Sequence, residues 1–217
     1  MSLLGVGWFG VQFFWGLHSG SMPLFLRDFT DSKFRISLVL VLAGVAGCLI
    51  PPLVGYVSDR SRSRFGRRRP FIFIGGIITM ACLLTLPHVH SFGVVALLAG
   101  FMYFSLRFCE TPYLSLLPDI TPSHQRSTAS GMMNLIGSIG LIMFFLLSSS
   151  LWEKYPAAVF RLTAVICFGA LFFAILFLVE PKAPESSPAT GKADVFKYVN
   201  GIIKERNVFT FFVADRK

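Results

Sequence analysis

Gly55-Tyr-Val-Ser-Asp59-Arg60-Ser-Arg-Ser-Arg64-Phe-Gly66-Arg67-Arg68-Arg69-Pro70 sets one aspartate and six arginines between two long apolar runs, 36–57 and 70–86. Each run approaches the roughly 20 apolar residues that cross a hydrocarbon core. Four more such runs lie at 3–26, 92–117, 127–151 and 157–179, the boundaries being read to within a few residues. Charged residues make up 14% of the 217 and hydrophobic ones 54%, against roughly 25% charged in soluble domains. So few charges cannot cover a soluble surface once a core is filled. The fold class read from this pattern is an all-α membrane protein with six transmembrane helices and a polar tail.

The bases orient it. Fourteen Lys and Arg fall in the even-numbered breaks and the tail, five fall on the other side, and Arg107 stands inside the fourth span. The positive-inside rule then puts both termini in the cytoplasm, and the expected location is the cell membrane. The same rule accounts for the net charge of +9 better than a nucleic-acid partner, for which no soluble module exists. Cys48, Cys82, Cys109 and Cys167 lie in apolar runs without CxxC spacing and read as small core residues. Gly16 and Gly20, Gly44 and Gly47, and Gly137 and Gly140 are the positions where helices are expected to approach closely. Pro51, Pro52 and Pro112 each remove a rung from the helical ladder.

Two domains are read: the bundle at 1–179, and a cytoplasmic segment at 180–217. The latter opens with a Pro-rich linker and continues with Phe196, Val199, Ile202 and Ile203 at helical spacing, an interfacial amphipathic helix. Residues 208–213 are too few to span and read as the start of a seventh helix cut short. A truncated product is the expectation, with half of a split carrier or a homodimer as alternatives.

In the quoted break, Asp59 at a helix end beside six arginines can accept charge-assisted hydrogen bonds and hold a gate. The alternative, arginines that only set topology and touch anionic lipid, leaves Asp59 and Gly66 unexplained. Gly55-x3-Asp59-Arg60 followed by Gly66-Arg67-Arg68-Arg69-Pro70 resembles the signature loop between helices 2 and 3 of the major facilitator superfamily. The longer spacer and the Arg-Pro ending resemble two sugar-carrying branches, the glycoside–pentoside–hexuronide:cation symporters and the sucrose/proton carriers. A second string, Glu110-Thr-Pro112-Tyr113-Leu-Ser115-Leu-Leu-Pro118-Asp119-Ile-Thr121 and then Arg126, is similar to the symporters' sequence at the end of helix 4. The resemblance covers residues 1–179, the first six of the family's twelve helices, and implies one major-facilitator half-bundle.

Glu110 is the one acid inside the six runs, with Arg107 a turn earlier on the same face. An ionisable residue at depth is a functional hypothesis by default. Burial and the guanidinium act on its protonation in opposite senses, so substrate or access state can tip it. The alternative is a static ion pair that fixes the fourth helix. By resemblance, Glu110 matches the helix 4 acid that the symporters use near sugar and cation. The further acids that melibiose-type members carry fall here on Gly47, on Pro51 and near Gln12, and a helix 5 arginine falls near Asn134. Without those carboxylates an oxygen-rich sodium site has little support, and a proton is the expected coupling ion.

The function these features point to is half of a secondary active transporter that moves a sugar or glycoside, such as a disaccharide, with a proton by alternating access. Glu110 and Arg107 carry proton coupling. Gln12, Trp15, His18, Tyr103, Tyr113 and Asn134 are the candidate sugar residues, with the aromatics as stacking surfaces. Gly55, Asp59, Arg60, Gly66, Arg67, Arg68 and Arg126 form the cytoplasmic gate. A second six-helix half or a homodimer partner completes the machine. A non-transporting sensor or assembly partner that retains the fold, or an inactive truncated product, stays open. No cofactor or metal is expected, since His88 and His90 lack a third ligand. An enzyme is not expected either, in the absence of HExxH, GxSxG or Walker strings.

Overall fold

A computed structural model describes residues 2–61 and 66–178, apart from the side chains of Ser2, Asp59 and Arg60. The expectations for the linker, the amphipathic helix and the seventh-helix start therefore lie outside the described residues, as do those for Arg62 and Arg64. All regular structure among the described residues is helical.

The first span comprises α1 (Ser2–Gly16), a π-helical turn (Leu17–Ser21) and α2 (Met22–Arg27) in one continuous path. The remaining five spans are α3 (Lys33–Arg60), α4 (Arg69–Thr85), α5 (Phe92–Ile120), α6 (Arg126–Leu151) and α7 (Pro156–Phe177). Five helices are long and apolar enough to cross a membrane on their own. The first span is divided by its π turn, which the hydrophobic pattern does not reveal. Pro23 has no N–H, and its ring collides with the carbonyl four residues back. The Met22 N–H instead reaches back to the Leu17 carbonyl, closing the wider ring of a π turn. Pro51 and Pro52, by contrast, leave α3 helical to Arg60. Local starts follow ordinary chemistry: Pro156 and Pro70 stand in the first turns of α7 and α4, where a missing N–H costs nothing.

Packing runs in an open chain. The second span lies on the fourth, the fourth on the third, the third on the sixth, the sixth on the first, and the first on the fifth. Exchanging spans one to three with four to six leaves this pattern unchanged, as expected for two three-helix repeats. The second and fifth spans stand at the open ends and carry exposed apolar faces. Leu38, Val41, Val45, Leu49 and Leu53 form one, and Leu135, Ile139, Ile142 and Leu146 the other.

The first–fifth contact is reciprocal. A Cβ on Gly137 or Gly140 would enter Trp8 or the Phe9 backbone, and one on Gly16 or Gly20 would enter Phe144 or Phe145. Each helix thus places aromatics over the other's glycines, which brings the backbones together. Gly44 differs from the expectation: nothing lies within 4 Å of a Cβ built there. Cys48 likewise is exposed, whereas Cys82, Cys109 and Cys167 are buried. Both departures arise because this part of the second span faces out of the bundle.

The third and fourth spans are tied by polar contacts at a close approach. Thr79 Oγ1 and Ser105 Oγ both donate to the Gly75 carbonyl, at 2.8 and 2.9 Å. Ser21 and Ser148 join the first and fifth spans at 2.7 Å. Buried hydroxyls satisfied in pairs or by carbonyls cost little in an apolar interior.

Candidate functional site

The Arg107–Glu110 pair forms on the fourth span because residues three apart share a helical face. Arg107 Nη1 donates to Glu110 Oε2 at 2.9 Å. The two ends of the pair are unequal: the Glu110 side chain is 5% exposed and that of Arg107 is 26%. Anything that reaches the carboxylate from outside the bundle meets the guanidinium first. Thr111 Oγ1 donates to the Arg107 carbonyl at 2.8 Å, beside Pro112, and so supplies a local polar contact where the ladder loses a rung.

The first span brings aromatics to this pair. The Trp15 ring lies under the Arg107 guanidinium at 4.5 Å from Cζ to centroid, within reach of a cation–π attraction. His18, from the π turn, is hydrogen-bonded through Nδ1 to the Tyr103 hydroxyl at 2.9 Å. Its ring stands edge-on to Trp15, with centroids 5.3 Å apart. On the second span, Gly47 lets the guanidinium lie close to bare backbone. Trp15, His18, Tyr103, Arg107 and Glu110 are thus joined in one cluster from two spans, with Gly47 at its side. A guanidinium with hydrogen-bonding edges, an indole face and a buried carboxylate can hold hydroxyl groups and exchange a proton.

The other sugar candidates stand apart. Tyr113 is fully buried, donates to the Leu4 carbonyl at 2.6 Å, and fills the space left open at Gly7. Its ring fastens the first span to the fourth and offers no open face in this conformation. Tyr103 is equally enclosed, with its hydroxyl turned to His18. Gln12 is half-buried against Gly137, and Asn134 is exposed on the fifth span.

At the end of the bundle that carries the arginine-rich break, the arginines converge on Asp119, which sequence reasoning did not select. Asp119 Oδ2 accepts from Arg67 Nη2 at 3.0 Å and lies 3.2 Å from Arg68 Nη2. Arg126 donates to the Pro118 and Thr121 carbonyls at the end of the fourth span, and Arg69 donates to the Leu178 carbonyl beyond the sixth. Guanidinium groups at helix C-termini satisfy unpaired carbonyls and oppose the dipole. Gly66 has φ of 107°, a conformation that glycine alone adopts without strain, so the chain turns there toward Asp119. The signal for Asp119 was present: it closes the string that begins at Glu110. Asp59 and Arg60 have no described side chains, and Gly55 lies on an open face of the second span. Among the described residues no three His, Cys, Asp or Glu side chains converge in a way that would hold a metal.

Comparison with known proteins agrees with this architecture. The family model for the Major Facilitator Superfamily matches residues 4–214. The chain is similar to a sucrose transport protein of Arabidopsis thaliana, 26% identical over 62% of this chain and 30% of that protein. It is similar to solute carrier family 45 member 3 of Mus musculus, 30% identical over 72% of this chain and 31% of the relative. An uncharacterized symporter of Synechocystis is 29% identical over 70% of this chain and 32% of its own length. The chain spans about a third of the length of these curated relatives.

Proposed function

The chain belongs to the major facilitator superfamily, and from that premise we propose that its six spans are one bundle of a carrier that moves a sugar or glycoside together with a proton. It is an integral membrane protein and a transporter by family. The disaccharide class, the proton and the cytoplasmic placement of both termini are this proposal's finer content. The observation that carries it is the Arg107–Glu110 pair under Trp15. A buried carboxylate paired with a partly exposed guanidinium is suited to exchange that partner for a proton. Protonation of Glu110 releases Arg107 Nη1, which then donates to sugar hydroxyls stacked on Trp15. Deprotonation restores the pair and releases the sugar. A relative named as a sucrose transport protein supports the substrate class, and one named as a symporter supports coupled transport.

Alternating access places this site between two bundles that rock about it. The second bundle, from a further segment or a second copy, sits on the exposed faces of the second and fifth spans. The cytoplasmic gate of this reading comprises Gly55, Asp59, Arg60, Gly66, Arg67, Arg68 and Arg126, and its ion-pair contacts with Arg67 and Arg68 support adding Asp119.

The test is proton entry into proteoliposomes that contain the chain, followed with a pH dye while sucrose and other sugars are added. Sugar-dependent acidification that Glu110→Gln abolishes supports the reading. Acidification that persists in a folded Glu110→Gln variant overturns Glu110 as the coupling group, and a fold retained only as scaffold would be indifferent to the change.

A further inference from the structure

Arg107 is held by few contacts. One hydrogen bond joins Nη1 to Glu110, and one stack places Cζ over Trp15. Nε is buried without an acceptor. A further neighbour is Gly47 of the second span, where a built Cβ would lie 3.3 Å from Nη2 and 3.4 Å from both Cζ and Nε. Among the described helical glycines, Gly47 is the one whose missing side chain would meet a charged group. Gly44, one turn earlier on the same helix, meets nothing within 4 Å.

We propose that Gly47 is a positioning residue for the Arg107 guanidinium, and thereby a determinant of sugar affinity. The bare Cα forms the third wall of a slot whose other walls are the Trp15 ring and the Glu110 carboxylate. A methyl group there drives the guanidinium a few tenths of an ångström away from the second span, and so alters both the stack and the ion pair. What must yield is the far end of a flexible side chain. The helix packing is untouched, and the fold tolerates the change. This differs from the bundle's other close glycines, such as Gly140, whose Cβ would lie 2.4 Å from a backbone carbonyl oxygen of Phe9. The orphaned Nε–H also gives the slot a donor without a protein partner, which a hydroxyl of a bound solute or a water can occupy once the guanidinium shifts.

The affinity half of this proposal rests on the sugar-site reading, while the positional half does not, and the experiment separates them. The whole chain, with Trp8→Phe and Trp152→Phe so that Trp15 is the sole indole, is reconstituted in lipid nanodiscs. Trp15 emission is recorded for the parent, Arg107→Leu, Gly47→Ala, Gly44→Ala, and Gly47→Ala combined with Arg107→Leu. The expected result is that Arg107→Leu changes the emission and Gly47→Ala produces a substantial part of that change. Gly44→Ala leaves it unaltered, and Gly47→Ala adds nothing once Arg107 is gone. In proteoliposomes with sucrose as probe, Gly47→Ala raises the half-saturating concentration about fivefold with little loss of maximal rate, the scale expected for a sub-ångström misplacement of a binding group. The proposal is overturned if Gly47→Ala matches the parent in emission, if Arg107→Leu leaves Trp15 unchanged, or if Gly47→Ala acts equally without Arg107. Silence toward every sugar together with the expected emission pattern rejects the transport reading and the affinity role, and leaves Gly47 as the residue that positions Arg107.

Discussion

The fourth span carries two arginine–carboxylate contacts of nearly equal length that do different work. Arg107–Glu110, at 2.9 Å, joins residues three apart on one helix, with its carboxylate 5% exposed. Arg67–Asp119, at 3.0 Å, bridges the third and fourth spans across 52 residues of sequence, with side chains 23% and 28% exposed. The local pair lies within one helix and meets the first span through the Trp15 ring, so breaking it frees the carboxylate to take a proton without parting two helix ends. The distant pair, shared with Arg68, ties two helix ends, so breaking it loosens that end of the bundle. Burial sets their sensitivities too: partly exposed charges are screened by salt and buried ones much less.

The largest effect that could break this comparison is on coupling. Glu110→Gln is expected to lower sugar-dependent acidification by at least about a hundredfold, the scale of a lost proton-transfer group. Asp119→Asn is expected to lower it by no more than about fivefold, since a partly exposed bridge contributes on the order of 1 kcal/mol. Equal losses would merge the two roles.

Stability sharpens the contrast next. Arg107→Leu leaves a buried carboxylate unpaired, at a cost of about 3 kcal/mol, whereas Arg67→Leu costs about 1 kcal/mol or less because Arg68 still faces Asp119. Thermal unfolding followed with a thiol-reactive dye reads both, since Cys82, Cys109 and Cys167 are buried in the fold. Tyr113→Phe, which removes the donor to the Leu4 carbonyl and leaves the ring in place, is expected to cost about 1 kcal/mol in the same assay.

Salt provides the smallest and most selective difference. Raising it from about 0.05 to 0.5 M contracts the screening length to a few ångströms. Labelling of a cysteine placed at Thr121 is expected to rise with salt in the parent and to be high throughout in Asp119→Asn. Trp15 emission, which reads the buried pair, is expected to stay constant.

Much of this was legible in the residues, and the exceptions are instructive. Glu110 and Arg107 were found from spacing alone, because a three-residue interval on a helix fixes a shared face whatever surrounds it. Gly137 and Gly140 were correctly expected at a close contact, since an apolar helix gains from small residues only where another backbone approaches. Asp119 was passed over because its partners lie 52 residues away, and helical periodicity says which face a residue occupies without saying what meets that face. Gly44 and Gly47 looked equivalent for the same reason: one opens outward and the other cradles a guanidinium. Tyr113 and Trp15 were equally plausible sugar surfaces by type, yet one is sealed against Gly7 and the other lies under Arg107.

The sequence by itself determined the number of spans, the crowding of basic residues into particular breaks and the depth of the one buried acid, because hydropathy and charge are local properties that the bilayer reads residue by residue. The tertiary structure decided that Tyr103 meets the His18 presented by the π turn, the choice of Asp119 as the arginines' partner, and the slot that Gly47 opens for Arg107. Each of these depends on which helix faces which, and that order follows from side-chain volumes and polar partners meeting across spans that are far apart in the chain.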